Sequence, residues 1–423
     1  VEVKKIDIQV RHLTRIEGHG NIVVKAADGK VEEVRWEITE SPRFFEMMFR
    51  RRPWREVHVL ASRICGICAV SHQLASLNAT EAAFGCRPSE QTILLRKLLY
   101  CGEVIESHML HVYFLAGPDF LSAGSVFPLL RNQKDIVLPG LRLKKLGNDI
   151  MEIIGGRSIH PQATSVNGFG RLPSKQDLLI LQNRLKDAFP DLEATVQRFK
   201  EFEFPEFSRE TEYISLKHPD EFAFIRGDIF STDTGLASLD QYPEITNEYC
   251  VPHSTAKFTR HARESYAVGA LARINNNYEQ LYPIARKASE TLGLKPICYD
   301  PFMNNIAQIV ETIHMVEEGL GIIDRLLRTG VREEENVVSV KAGRGIGAVE
   351  APRGLLIHDY TYDADGRVVK ANCVIPSGQN HANIQHDLDA FVPLYLDRGE
   401  NELRRLCEML VRSYDPCISC STH

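Results

Sequence analysis

DPCISCSTH, residues 415–423, is the stretch that decides the fold. It sets Cys417 and Cys420 two residues apart and puts His423 last. Chain ends are usually frayed and chemically bland. A thiol pair there is either a poorly protected tail or a segment held inside the protein. A second pair lies far upstream in RICGICAVSH, residues 63–72, which carries Cys65, Cys68 and His72. One CxxC alone is a weak signal, but two supply four thiolates, enough for a tetrahedral metal site. Zinc ribbons bring their pairs together within a few tens of residues. Here almost the whole chain intervenes, so a shared site requires both ends to converge. A thioredoxin-like dithiol would need a strand–CxxC–helix context in a small α/β domain, which this neighbourhood lacks. Thiolates suit zinc, iron–sulfur clusters and thiophilic nickel or copper, and composition does not choose among them.

The remaining sequence is that of an ordinary globular protein: 423 residues, 43% hydrophobic, 25% charged, with a formal net charge of −6. That balance argues against broad binding to nucleic acid or anionic membrane. The basic run Arg50, Arg51, Arg52 and Arg55 reads as a solvated face, with contact to an acidic partner as the sharper alternative. The first residues lack a signal-peptide core, and no stretch has the length and apolarity of a membrane span. The expected location is the cytoplasm. Of 10 cysteines, Cys86, Cys101, Cys250, Cys298, Cys373 and Cys407 stand alone and read as buried structural thiols.

Alternation predicts strands at KIDIQV, NIVVKA and KVEEVRWEI, with a hairpin turn at AADGK. Helices are expected at FFEMMF, REVHVLASRI and AVSHQLASLNATEAAFG, the last closed by Gly85. A long central helix should begin after Ser89 and stop at Gly117-Pro118. Further helices fit SKQDLLILQNRLKDAF, RHARESYAVGALARINNN, NNYEQLYPIARKASETLG, NNIAQIVETIHMVEEGLGIIDRLL and NELRRLCEML. Residues 204–256 read as irregular, and RGLLIHDYTYDADGRVVKANCVI as a hairpin turning at DADG. The expected fold is α+β and helix-rich: a long central helix bundle with small peripheral sheets, in one domain over 1–423. Its parts would be an N-terminal β region at about 1–40, a helical core at about 44–330 and a C-terminal hairpin and tail at about 340–423.

RIEGHG, RICGICAVSH, ESHMLHVYFLAGPDF, GGRSIHP, YAVGALAR, EAPRGLLIHDY and DPCISCSTH occur in this order. Together they resemble the large, catalytic subunit of nickel–iron hydrogenases, over residues 14–423. The resemblance implies a nickel ion held by Cys65, Cys68, Cys417 and Cys420. Cys68 and Cys420 would bridge to an iron carrying carbon monoxide and cyanide. His72 would donate to a bridging sulfur. Glu17 would take a proton from Cys417, and Arg353 would sit over the open metal position with Asp119 and Asp415 as its partners. Pro376 and Ser377 would line the diatomic-ligand pocket. Glu46 and His423 would hold magnesium or a similar divalent ion. His108 or His111 reads as a satisfied core histidine, while His160 would face a partner. Family chains lose a C-terminal extension after this histidine once the metals are in, so an end at His423 resembles the matured form.

The activity so implied is reversible heterolytic cleavage of dihydrogen. This chain has no spare cysteine array for clusters. An iron–sulfur small subunit is therefore the expected partner, with further diaphorase-like subunits passing electrons to NAD(P), deazaflavin or ferredoxin. GRGIGAVEAPRG is rejected as a dinucleotide loop: its glycines give GxGxG, no strand clearly feeds it, and Pro352 falls where a helix should run. The glycine and glutamine of IPSGQN, with the short chain, resemble the cytoplasmic, multimeric branch of the family. The rival reading is a non-catalytic scaffold whose ends are pinned by a four-cysteine zinc site.

Overall fold

The computed structural model describes residues 5–423. The chain opens with an antiparallel meander of β1 (Lys5–Val10), β2 (Gly20–Ala27) and β3 (Lys30–Ile38). Ile6, Ile8 and Val10 point inward with Ile22 and Val24, as period-two alternation requires. Asp28 and Gly29 turn with φ of 52° and 74°, the left-handed pair of a tight hairpin.

The helical body follows: α1 (Phe45–Phe49), α2 (Trp54–Ala61), α3 (Ala69–Phe84), α4 (Glu90–Leu110), α5 (Gly117–Phe120), α6 (Val126–Asn132) and α7 (Lys134–Gly155). Gly85 ends α3 at φ 70° and Ser89 caps α4 through Thr92 N, both as expected. The expected stop at Gly117-Pro118 is not there. A π-helical turn over His111–Ala116 carries α4 directly into α5. The wider turn leaves room for a proline, whose ring and missing N–H would break a regular α-turn. As a result Asp119 sits at the end of a continuous helical rod, in the core.

Beyond the short pair β4 (Thr164–Ser165) and β5 (Gly168–Phe169) come α8 (Lys175–Lys186) and α9 (Phe189–Lys200). The 204–256 region is not merely irregular. It contributes β6 (Glu212–Lys217), β7 (Asp228–Ser231), β8 (Gly235–Ala237), α10 (Tyr242–Thr246) and β9 (Glu248–Tyr249). After β10 (Phe258–Thr259), β11 (Tyr266–Ala267) joins the first three of these strands in a sheet of order β11-β6-β7-β8. The helix expected from Arg260 onward is therefore only α11 (Ala270–Asn277), because Gly269 at φ 121° breaks the chain before it. α12 (Pro283–Thr291) likewise starts at its proline, and α13 (Asn304–Thr329) crosses the centre beside α4.

The glycine-rich segment rejected as a dinucleotide loop is itself a strand. β12 (Gly343–Ala351), β13 (Gly354–Tyr362) and β14 (Val368–Val374) form an antiparallel sheet with β13 in the middle. Gly343, Gly345 and Gly347 lie against Ala83, Ala79 and Ala75 of α3, and an added Cβ at Gly345 or Gly347 would run into α3 backbone. Two residues of strand rise about 6.6 Å and four of helix about 6 Å, so the two small-residue rows stay in step. α14 (Pro376–Phe391), α15 (Glu400–Ser413) and α16 (Ile418–Ser421) complete the chain. No helix of the described residues is long and apolar enough to cross a membrane. Of the lone cysteines, Cys101, Cys373 and Cys407 are buried, but Cys250 is exposed and Cys86 and Cys298 half-buried. Cys250 lies at the edge of the short pair β9–β10, with no core above it.

Candidate metal centre

Cys65 ends a short helical turn, and Cys68 immediately precedes α3. Cys417 immediately precedes α16. The tail runs alongside the loop after β1, where Ile418 N donates to Glu17 O at 2.9 Å. Arg43 N donates to Thr422 O at 2.8 Å. A third tie runs through side chains: Trp36 Nε1 donates to His381 Nδ1 at 3.1 Å, and His381 Nε2 lies 3.0 Å from Ser421 Oγ. The terminal segment is therefore held inside the protein.

This brings the two cysteine pairs together. Cys65 and Cys417 sulfurs are 3.8 Å apart, Cys68 and Cys420 sulfurs 3.9 Å, and Cys417 and Cys420 sulfurs 2.7 Å. All four are buried. Mutual contact, first with Cys417 and Cys420, draws the Cys65 thiol well below its ordinary range, while burial pushes Cys420 well above. Four sulfurs at these separations can be spanned by one soft ion, which replaces their protons.

Four charged or polar groups converge on the sulfurs. Cys417 Sγ donates to Glu17 Oε2 at 3.2 Å, and Ser419 N holds the same oxygen at 2.9 Å. Arg353 donates from Nε to Asp415 O at 2.7 Å and from one terminal nitrogen to Asp415 Oδ1 at 2.8 Å. Its other terminal nitrogen, Nη1, is buried without a hydrogen-bond partner. Burial opposes its charge, but Asp415 and the Cys417 sulfur keep the guanidinium firmly protonated. Cys417 N donates to Ser377 Oγ at 2.9 Å, so the Ser377 proton is free for another acceptor; Pro376 is the first residue of α14. His72 has a ring nitrogen within 4.8 Å of the Cys68 and Cys420 sulfurs.

Asp119 does not pair with Arg353. It accepts from Arg412 at 2.8 and 3.0 Å and from Arg15 at 2.5 Å. The helical rod through Pro118 carries it to α15 instead. Asp415 alone takes Arg353, and its other oxygen accepts from Gln308 at 3.2 Å. On the far side of the sulfurs, Glu46 Oε1 accepts from Cys373 N at 2.8 Å and lies 3.5 Å from His423 Nε2. Burial works against the Glu46 charge, yet His423 and Cys373 N–H hold its carboxyl below the ordinary value. His108 meets Glu311 at 2.8 Å through Nε2 while its Nδ1 is buried without a partner, and His111 is satisfied by Gln308 at 2.5 Å and Arg412 O at 2.8 Å. His160 is half-exposed and bonds Ser62 O at 2.8 Å, next to the first cysteine turn.

Arg273 of α11 buttresses the turn that carries Arg353, a placement that the sequence does not mark. Fully buried, it takes both oxygens of Glu311 at 2.6 and 2.7 Å and Glu350 at 3.0 Å. It also donates to Ala351 O at 2.8 Å and Pro352 O at 2.9 Å. These carbonyls form the turn that presents Arg353. The only sequence signal is a lone arginine amid the apolar residues of YAVGALAR.

The donor set fits a catalytic nickel–iron centre better than a closed zinc site. Four thiolates would satisfy zinc outright. A closed zinc site has no use for a carboxylate at hydrogen-bond distance from one sulfur or for a buried guanidinium nitrogen left without a partner, whereas an open coordination position does.

Comparison with known proteins agrees. A family model described as nickel-dependent hydrogenase matches residues 43–129 and 238–423, and one described as HoxL-like matches residues 7–41. The alpha chain of sulfhydrogenase 1 from Pyrococcus furiosus is 33% identical over 420 residues, covering 99% of this chain and 98% of that protein. A chain of the F420-non-reducing hydrogenase from Methanothermobacter marburgensis is 28% identical over 454 residues, covering 99% and 95%. The solved NAD+-reducing NiFe-hydrogenase in its H2-reduced state matches with a TM-score of 0.89 at 26% identity, covering 99% of each chain.

Proposed function

The chain belongs to the nickel-dependent hydrogenase family, as a large subunit that cleaves dihydrogen at a nickel–iron site, and on that premise we propose how its residues divide the work. Cys65, Cys68, Cys417 and Cys420 would hold the nickel–iron centre. The bound centre supplies an open Lewis-acid position at which dihydrogen is polarised. The observation that carries the reading is the meeting of four buried sulfurs with the Glu17 carboxylate and the unpartnered Arg353 Nη1.

Cys417 accepts the proton released in cleavage. Glu17 Oε2, 3.2 Å away, takes it on, and a rotation of the half-buried carboxylate carries it outward. Arg353 keeps its charge over the site, oriented by Asp415 and, through the Ala351–Pro352 turn, by Arg273. Asp119 anchors Arg412 and Arg15 and so braces α15 against the loop of Glu17. Ser377, whose hydroxyl proton is free, would donate to a cyanide of the bound centre, and Pro376 beside it would line the carbon monoxide and cyanide pocket. Glu46 and His423, 3.5 Å apart, would hold magnesium or a similar ion, whose preference for carboxylate oxygen suits Glu46.

Electrons pass to an iron–sulfur partner. Phe44, Met47 and Met48 are exposed around Glu46, and exposed Ile159 precedes His160, which supports a covered face near the cysteine turn. The likeness to an NAD+-reducing enzyme, and to chains named F420-non-reducing, favours a nicotinamide as the final acceptor through further diaphorase-like subunits. Metal analysis of the purified complex, with infrared spectra in the carbon monoxide and cyanide region, tests the centre. Nickel and iron together with diatomic bands are expected; zinc alone would overturn it.

A further inference from the structure

His72, on the first turn of α3, and His358 and Tyr360, on β13, form a row of three buried rings. His72 Nδ1 lies 3.1 Å from His358 Nε2, and His358 Nδ1 lies 2.5 Å from the Tyr360 hydroxyl. His358 and Tyr360 are two apart on the strand, so their side chains share a face. Among the described residues, no carboxylate bonds either imidazole. All three side chains are buried with no counter-charge against them, and an unpaired charge in so buried a place is costly. All three rings are therefore neutral.

A neutral imidazole has one N–H and one bare nitrogen, so each ring in such a row fixes the next. Only two arrangements exist, one the reverse of the other. Two features choose between them. At one end a phenol meets an imidazole: the phenolic O–H is the stronger donor, and the bare ring nitrogen the stronger acceptor. At the other end, His72 Nδ1 is taken by His358, which leaves Nε2 for the Cys68 and Cys420 sulfurs nearby. Thiolates that hold a metal accept hydrogen bonds and cannot donate them.

We propose that Tyr360 sets the direction of this row: its O–H donates to His358 Nδ1, His358 Nε2–H donates to His72 Nδ1, and His72 Nε2–H points at the Cys68–Cys420 sulfurs. Tyr360 and His358 are then positioning residues, acting on the centre through His72. The inference rests on the assignment of Cys68 and Cys420 as metal ligands. Reversed, the row would present a bare nitrogen to two thiolates, and their lone pairs would repel it.

Neutron diffraction from the deuterated, metal-loaded complex reads the row directly. Deuterium is expected on Nε2 of His72 and of His358 and on the Tyr360 oxygen pointing at His358. Deuterium on Nδ1 of His72 overturns the proposal. Tyr360→Phe keeps the ring and removes the donor. Nickel and iron content should be unchanged, while the reduction potential of the centre shifts and dihydrogen–deuterium exchange falls about tenfold. An unchanged potential and exchange rate would count against it equally. The wild-type map decides even where the variant fails to load. A preparation holding zinc instead of nickel and iron defeats the metal assignment alone, since the deuterons still report the row.

Discussion

The indole N–H of Trp36 donates to Nδ1 of His381, and because an indole can only donate, the histidine has no choice of tautomer. Its proton sits on Nε2 and goes to Ser421 Oγ, which in turn donates to Ile418 O at 2.7 Å. One strand of the N-terminal meander thus orders the segment that carries Cys417 and Cys420.

That bond makes the tail acid-sensitive. Burial pushes His381 down to about 3, against about 6.5 in an unfolded chain. The unfolded state therefore binds the proton first. The stabilisation is complete above pH 6.5 and declines as pH falls towards 3. His58 and His72, each held down to about 4, have the same sign. Melting temperatures of the purified complex should drop between pH 6.5 and 4, and His381→Gln should flatten that drop while lowering stability at neutral pH. An equal slope in the variant would remove His381 from the account.

Cys417→Ser should abolish nickel binding and hydrogen uptake together. Glu17→Gln should keep both metals yet slow dihydrogen–deuterium exchange by about 10²–10⁴, the range of a lost proton-transfer group. Paired metal analysis and isotope exchange separate the two, and an unchanged exchange rate would refute the relay.

The two aspartates expected around Arg353 should behave differently. Asp415→Asn leaves the fully buried Arg353 without its counter-charge, so it should lower turnover strongly and also cost several kcal/mol. Asp119→Asn takes the carboxylate from Arg15 and leaves Arg412 with Glu408 alone, so it should lower stability with a smaller loss of turnover. Turnover numbers normalised to folded protein, measured on both, should fall further in Asp415→Asn; equal losses would return Asp119 to the site.

Arg273→Met removes the partner of two buried carboxylates and should cost about 3–5 kcal/mol. Arg273→Lys keeps the charge but cannot make five bonds at once. It should remain folded by circular dichroism while turnover falls, through the loosened Ala351–Pro352 turn.

Gly345→Val forces a branched side chain into the α3 backbone. Because Cys68 heads α3, the strain reaches the metal ligands. Metal occupancy should fall along with thermal stability, by at least the 1–3 kcal/mol of ordinary overpacking.

Much of this is legible in the sequence, for identifiable reasons. The cysteine spacing and the long gap between pairs require the ends to meet, because four thiolates have few other uses. Helix bounds at Gly85 and Ser89 follow from capping chemistry. Asp119 is paired with Arg353 by the family resemblance alone, and nothing in the sequence shows that the π-turn before Gly117-Pro118 carries it to Arg412 and Arg15 instead. The β6–β8 sheet is hidden because its strands are short and embedded in aromatic and proline-rich coil. Arg273 is hidden because a lone arginine reads the same on a solvated face as in a core, until its two carboxylates arrive from α13 and β12.

Cys65 and Cys417 stand 352 residues apart along the chain. At synthesis rates of about 5–20 residues per second, the first motif leaves the ribosome roughly 20–70 s before its counterpart exists. During that interval the Cys65–Cys68 pair lacks the tail that encloses it in the folded protein. Shielding of Cys65 and Cys68 in the nascent polypeptide, and the timing of loading after translation, are thus set by topology before any enzyme of assembly is considered.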